Sequence, residues 1–332
     1  MALKLEKYNF NLPKELIAKK PASPRDAAGL LVYSRKDKKI VCDKFLNIGK
    51  YLPKNAVLVF NKTKVIPARI FLKKETGGRV EVLYLEEKGG AIEALTNRKL
   101  PIGSKLYFGS REILSVKGQR KNIYCLEPLI ADIKGFFQKH GRMPIPPYIK
   151  NTSLPEKELR EKYQAVFAER PGSSAAPTAS LHFTKRLLKK LKESGLGMEF
   201  VVLHVGLGTF APLTQENIEK GKLHEEYYEM SRKTYSFLRK AKKQGRPIIA
   251  VGTTVARALE SGKLSGKTDL FIRPGYDFKM TDGLITNFHL PRSSLLMLVV
   301  AFAGRKEILD IYNKAIKNKF KFYSFGDGML IL

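Results

Sequence analysis

Three histidines stand at the ends of short elements rather than within helices. His182 closes the small-residue stretch GSSAAPTASLHFT, His204 ends the apolar run of VVLHVGLGTF, and His289 lies in TNFHLPRSS. Imidazole is the side chain whose ordinary pKa lies nearest neutrality, so histidines at such junctions are candidates to take or give a proton. A lone histidine is more often a hydrogen-bonded structural residue, and placement at element ends shifts the balance towards substrate contact. His140, in a basic stretch, reads as a surface residue. KLHEEYYEM gathers His224, Glu225, Glu226 and Glu229 into one acidic spot of a basic chain. It resembles HExxH, but Tyr228 holds the place of the second histidine, which rejects zinc. Glu225 and Glu226 fit a cationic ligand or a general base, and equally a solvated turn balancing nearby lysines.

Three loops repeat one device: an extended run, then small residues, then a helix. They fall at residues 172–184, 201–210 and 248–260. Small residues let a ligand approach the backbone, and a helix start offers free N–H groups with a partial positive charge. In open α/β sheets, loops at strand ends form the ligand crevice. Tight packing explains any one loop as well, and three together favour a site. None matches GxGxxG or a Walker loop, so no familiar cofactor is implied. Arg257, shortly after Thr253 and Thr254, and Arg292, just after Pro291, are candidate ligand cations. Thr178 in the first loop and Asn287 ahead of His289 are candidate substrate-binding residues.

The elements that must position these residues divide the chain in three. Residues 1–68 contain a short helix in LPKELIAKK and buried strands in GLLVYSR and AVLVFN. Residues 69–147 hold six short β-type segments, ARIFLKK, RVEVLYLEE, AIEALTN, SKLYFG, REILSVK and NIYCLEP, separated by turn residues. That spacing predicts a barrel or sandwich, followed by a helix and a Pro-rich exit. Residues 148–332 alternate strands (EFVVLHV, RPIIAVG, KTDLFI) with helices (TKRLLKKLKES, TYSFLRKAKKQ, TVARALES, RKEILDIYNKAIKNK). The fold class is therefore α/β: a layered mixed α/β main domain with an inserted small all-β barrel domain.

The formal charge of +30 over 332 residues, from 61 basic and 31 acidic side chains, calls for a polyanionic partner. A heat-adapted surface would carry matching glutamates, and here acids number half the bases. Cys42 and Cys125 stand far apart outside any CxxC pattern, which argues against a disulfide framework or a zinc site. The charged start is no signal peptide, and the apolar run 295–303 is too short to cross a bilayer, so a cytoplasmic protein is expected.

With these stretches in place, the chain resembles the S-adenosylmethionine:tRNA ribosyltransferase-isomerase family of queuosine biosynthesis. The likeness runs in order through VLVFNKTKVIPAR, GGRVEVL, YQAVFAERPGSSAAPTASLHFT, FVVLHVGLGTFAPL, HEEYYEM, AVGTTVARALE, TDLFIRPGYDFKMTDGLITNFHLPRSSLLMLVVAFAG and YSFGDGMLIL. It implies a cytoplasmic enzyme with no metal and no prosthetic group, built as an α/β domain with an inserted β-barrel. S-adenosylmethionine would be co-substrate and preQ1-bearing tRNA the partner. The ribosyl part is transferred to give epoxyqueuosine, and adenine and methionine are released. A monomer is expected.

Placed on that chemistry, His182, His204 and His289 would surround the reacting ribose, and Glu225 and Glu226 would face the sulfonium or the preQ1 amine. Gly206, Gly208, Thr209 and Phe210 would line the adenosine pocket. Thr253, Thr254 and Arg257 would hold the methionyl carboxylate or a phosphate. Lys62, Lys64, Arg69, Lys185 and Arg186 would contact RNA. The chain departs from the family pattern at Lys62, where aspartate is usual, and at Ala28 and Gly29, which replace a Ser-Arg pair. Smaller departures fall at Asn9, Asn11, Ser180, Val255 and Ala256. Lys62 and Gly29 are either a compensating pair or a sign of altered tRNA contacts. The rival readings are a basic RNA-binding module without turnover and an enzyme acting on a free nucleotide or sugar phosphate.

Overall fold

The computed structural model describes residues 3–149, 152–206 and 213–332. Among them, nine strands form one mixed sheet, in the order Ser265–Leu270, Lys222–Glu229, Gly197–Leu203, Val57–Asn61, Ile248–Val251, Gly283–Asn287, Gly328–Ile331, Gly29–Tyr33 and Ile40–Lys44. The four strands from Gly197–Leu203 to Gly283–Asn287 run parallel to one another. The outer pairings are antiparallel, except that Gly29–Tyr33 runs parallel to Gly328–Ile331.

Alternation along the central strands splits the core in two. Val57 and Val59 join the larger core with Ile248, Ala250 and Leu284, while Leu58 and Phe60 join the other with Ile249, Val251 and Ile285. A strand covered on both faces has no polar side, which is why VLVF and IIAV read as unbroken apolar runs. The larger core lies under the helices Arg232–Lys243, Thr253–Glu260, Ser294–Ala303 and Arg305–Lys317. In the last of these, Ile308, Ile311, Tyr312 and Ala315 form the buried stripe that the helical period predicts. The other face is covered by Lys185–Glu193, through Leu187 and Leu191, and by the short 3-10 turn Phe45–Lys50.

A closed six-stranded antiparallel barrel is inserted after the parallel strand Val57–Asn61. Its strands are Arg69–Lys74, Arg79–Lys88, Ala91–Thr96, Lys105–Phe108, Arg111–Arg120 and Ile123–Pro128, one for each β-type segment of the sequence. Ile70, Leu72, Val80, Val82, Leu106, Leu114 and Val116 fill it, and Ile133 and Phe137 from the helix Ile133–His140 pack with them. A fourth apolar cluster, with Val65, Ile145, Ile149, Tyr163 and Phe325, lies where the chain returns from the barrel to the main sheet.

Three elements differ from the sequence reading. LPKELIAKK makes only a 3-10 turn, Lys14–Leu16. KLHEEYYE is a strand pairing on both sides, not a turn. The apolar run 295–303 lies within the helix Ser294–Ala303, which is almost wholly buried and so lacks the polar face that makes a helix visible as a period.

Candidate active site

The carboxyl ends of the parallel strands define one edge of the main sheet, and a cavity of about 540 Å³ opens there. Small-molecule sites typically occupy about 300–1,000 Å³. Val205 follows Gly197–Leu203, Gly252 to Thr254 follow Ile248–Val251, and Thr286 to Ser293 end and follow Gly283–Asn287; all line the cavity. The 172–184 loop adds Ala176 to Ala179. All three small-residue loops therefore reach one place.

Local chemistry sets each wall. Gly252 adopts φ +102°, a region open to glycine, and this lets the chain leave the strand and start the helix Thr253–Glu260 directly. No side chain caps that helix, and its first residues, Thr253 and Thr254, line the cavity. Thr254 is also held from below, because Asn61 donates from Nδ2 to its Oγ1 at 3.4 Å. On the opposite wall, Ser293 accepts the Leu296 N–H at 3.2 Å and starts the helix Ser294–Ala303. That cap sets the course of the segment bearing His289 and Arg292.

The histidines take three different places. His289 lines the cavity, its Nε2 2.7 Å from Thr286 Oγ1, and burial pushes its pKa down to about 3. His182 lies one layer behind. Its ring stacks on Phe45 at 4.6 Å, and its Nε2 sits 3.2 Å from the Asn287 Nδ2 amide, which lines the cavity. Burial, with the nearby Arg25 charge, lowers the His182 pKa to about 4. His204 is outside the described lining: its Nδ1 is 2.8 Å from Thr63 Oγ1 and its ring stacks on Tyr227. Burial and Arg170 hold its pKa below the usual value. Each imidazole follows a different element, and among the described lining residues His289 is the histidine that borders the space.

The acidic spot also separates. Neighbouring residues of a strand point to opposite faces, so Glu226 is buried and Glu225 is exposed beside Lys267. Glu226 pairs with the equally buried Arg257 and accepts the Gly206 N–H at 2.8 Å. Arg257 donates further to the Leu270 and Thr268 carbonyls, at 3.0 and 3.3 Å. Arg257 and Glu226 therefore satisfy each other beside the cavity rather than facing it, and Gly206 contributes its N–H to that pair. Arg292, exposed and with φ +54°, is the one charged side chain among the described lining residues. Gly208, Thr209 and Phe210 lie outside the described residues.

Comparison with known proteins settles the family. The family model described as "Queuosine biosynthesis protein" matches residues 5–331. The chain belongs to the queuosine biosynthesis protein family. Relatives named S-adenosylmethionine:tRNA ribosyltransferase-isomerase include those of Sulfurihydrogenibium, 47% identical over 99% of this chain and 100% of the relative. The Halothermothrix orenii protein of the same name is 46% identical over the same shares. In three dimensions the chain is similar to the crystal structure of S-adenosylmethionine tRNA ribosyltransferase from Thermotoga maritima. The TM-score is 0.57 at 35% identity, covering 98% of this chain and 100% of that one.

Within the queuosine biosynthesis family pattern, the two charge departures have separate partners. Lys62 pairs with Glu169 at 3.0 Å, whereas the Gly29 N–H donates to Asp327 at 2.6 Å. A Cβ at Gly29 would come within 3.0 Å of Asp327 Cγ and the Phe320 ring. Of the other basic residues read as RNA contacts, Arg69 is spent internally, on Glu81 at 3.0 Å and the Ile145 carbonyl at 3.2 Å. Lys64, Lys185 and Arg186 are exposed, with Arg186 3.4 Å from the buried Asp26. No group of three metal-ligating side chains occurs among the described residues, and none of their helices is long and apolar enough to cross a membrane.

Sequence reasoning missed Tyr148 and Tyr323, whose rings sit 4.7 Å apart in the cavity wall. Tyr148 Oη is 2.8 Å from Ser324 Oγ, and burial raises the Tyr323 hydroxyl to about 12. Only the Pro-rich approach to one and the YSFGDG turn around the other hint at them. Asn61 was missed too. Fully buried, it exchanges bonds with both the N–H and C=O of Leu203 and so ties two strand ends together below the site.

Proposed function

We propose that this chain transfers and isomerises the ribosyl part of S-adenosylmethionine onto preQ1 at the wobble position of tRNA, leaving epoxyqueuosine and releasing adenine and methionine. It is an enzyme of queuosine biosynthesis, a tRNA-modifying transferase with S-adenosylmethionine as co-substrate. The observation that carries the reading is the match of the family over residues 5–331 to a chain whose cavity opens at the ends of its parallel strands.

The residues divide the work by their chemistry. The methionyl carboxylate suits the uncapped helix start at Thr253 and Thr254, with Arg292 as its cation. The sulfonium suits the faces of Tyr148 and Tyr323, because the electron-rich face of a ring attracts a cation. Glu226 is already neutralised by Arg257 and is left out of this role. A C–H bond beside the positive sulfur must break, and its proton needs an acceptor. His289 is that acceptor in this reading: its ring borders the cavity, and with Nε2 on Thr286 its Nδ1 is left for the proton. The tRNA lies over Lys64, Lys185 and Arg186 in the cytoplasm, and one chain holds both substrates as a monomer.

Incubation with preQ1-bearing tRNA and S-adenosylmethionine, followed by nucleoside analysis, tests the reading. Epoxyqueuosine in the tRNA with free adenine and methionine is the expected result. Unchanged preQ1 after full incubation of folded enzyme would overturn it.

A further inference from the structure

Asn287 is the point where the buried layer meets the cavity. It is 2% exposed, yet its amide belongs to the cavity wall. Both ends of that amide are already held. The Thr178 hydroxyl donates to Oδ1 at 3.0 Å, and Nδ2 donates to His182 Nε2 at 3.2 Å. The orientation follows from the partners. The Thr178 hydroxyl on Oδ1 leaves Nδ2 to face His182, whose neutral ring then carries its hydrogen on Nδ1 and its lone pair on Nε2. An amide has two hydrogens and two carbonyl lone pairs. One hydrogen and one lone pair therefore remain at the amide's edge for a ligand.

We infer that this edge recognises the adenine of S-adenosylmethionine, with His182 and Thr178 as positioning residues that hold the Asn287 amide in register. Adenine presents an N6–H donor beside a ring-nitrogen acceptor, and a side-chain amide matches that pair with two parallel bonds. Enclosure at the cavity wall favours the small free co-substrate over a base attached to a polynucleotide. The N–H donated to the ring nitrogen also meets the electron pair that the departing base withdraws, so the contact strengthens as the glycosidic bond breaks. The proposal rests on the reaction assigned above and adds the adenine subsite. It also changes the part played by His182 from proton transfer to positioning.

The test compares S-adenosylmethionine with its inosine counterpart, in which a C6 carbonyl and N1–H replace the N6–H donor and ring acceptor. Wild-type enzyme is expected to prefer the adenine compound by roughly 10- to 100-fold in kcat/KM. Asn287→Ala and His182→Ala should each bring that ratio close to one. His182→Gln should restore much of it, since its side-chain carbonyl accepts the same amide hydrogen. A residue that merely supports the fold would lower both substrates together and leave the ratio unchanged. Equal use of the two compounds by wild type overturns the inference, as does a full preference in folded Asn287→Ala or His182→Ala. A raised KM for preQ1-tRNA with an unaltered nucleoside preference would also overturn it, placing the amide on the tRNA base. If Asn287→Ala does not fold, the wild-type ratio and the two His182 variants decide. Absence of any turnover by wild type is a different result, and it strikes the reaction itself rather than the adenine contact.

Discussion

His289 and His182 show how burial sets the use of an imidazole. A charged ring loses its hydration inside the core, so both are held neutral, with pKa values near 3 and 4. Activity should show no histidine limb near pH 6.5 arising from either ring, and a pH–rate profile from pH 5 to 8 checks this. The stability consequence has a definite sign. Between the unfolded value of about 6.5 and the folded values, the unfolded chain binds more protons. The contribution is fully present above about pH 6.5. It falls as pH drops towards 4, by about 1 kcal/mol per pH unit for each ring. Denaturant unfolding at pH 7, 6 and 5 measures it, and a flat stability over that range contradicts it. Arg292 is the exposed cation at the cavity. Arg292→Ala should raise KM for S-adenosylmethionine about 10-fold with Tm unchanged, since an exposed side chain without an ion partner among the described residues supports little of the fold.

At the scale of elements, the site depends on joints where a strand ends and the next segment begins. The Glu226–Arg257 pair joins the strand Lys222–Glu229 to the helix Thr253–Glu260 and, through the Gly206 N–H, to the residue that ends the described stretch after Gly197–Leu203. Glu226→Gln would leave the Arg257 charge buried without its counter-ion. A loss of about 3–5 kcal/mol in unfolding free energy is expected. A loss under about 1 kcal/mol in chemical denaturation would show that the pair does not hold this joint. Gly172 is a second joint. Its φ is +143°, and a Cβ there would come within 2.9 Å of the His204 ring. Gly172→Ala is expected to lower stability by about 1–3 kcal/mol, read from its thermal melt against wild type. The barrel was legible segment by segment because turns punctuate it and its strands alternate. The strand Lys222–Glu229 was not, because its two fully buried residues are Glu226 and Tyr228, so no apolar alternation marks it.

Across the whole molecule, the charge of +30 is the dominant long-range property. It predicts tRNA binding that weakens steeply with salt, as bound phosphates release their counterions. Lys64→Ala with Lys185→Ala should reduce the slope of log K against log salt by about two, without changing S-adenosylmethionine binding. An unchanged slope would place the tRNA on another face. Arg186 is the poorer choice for this experiment, because removing it also deprives the buried Asp26 carboxylate of a partner.

The amino-acid order by itself determined the layered α/β body, the inserted barrel, the net charge and the three loops that meet at the cavity. These arise from period, turn chemistry and charge count, which are local or additive properties of a chain. Tertiary structure alone decided which of the candidate side chains face that cavity. His182, His204 and His289 look alike in sequence, yet one borders the space, one lies behind Asn287 and one packs against Thr63 and Tyr227. Glu226 looked available until folding brought Arg257, thirty-one residues away, against it in the interior. Direction and pairing of a buried polar group are set by what long-range packing places opposite it, and spacing along the chain carries no record of that.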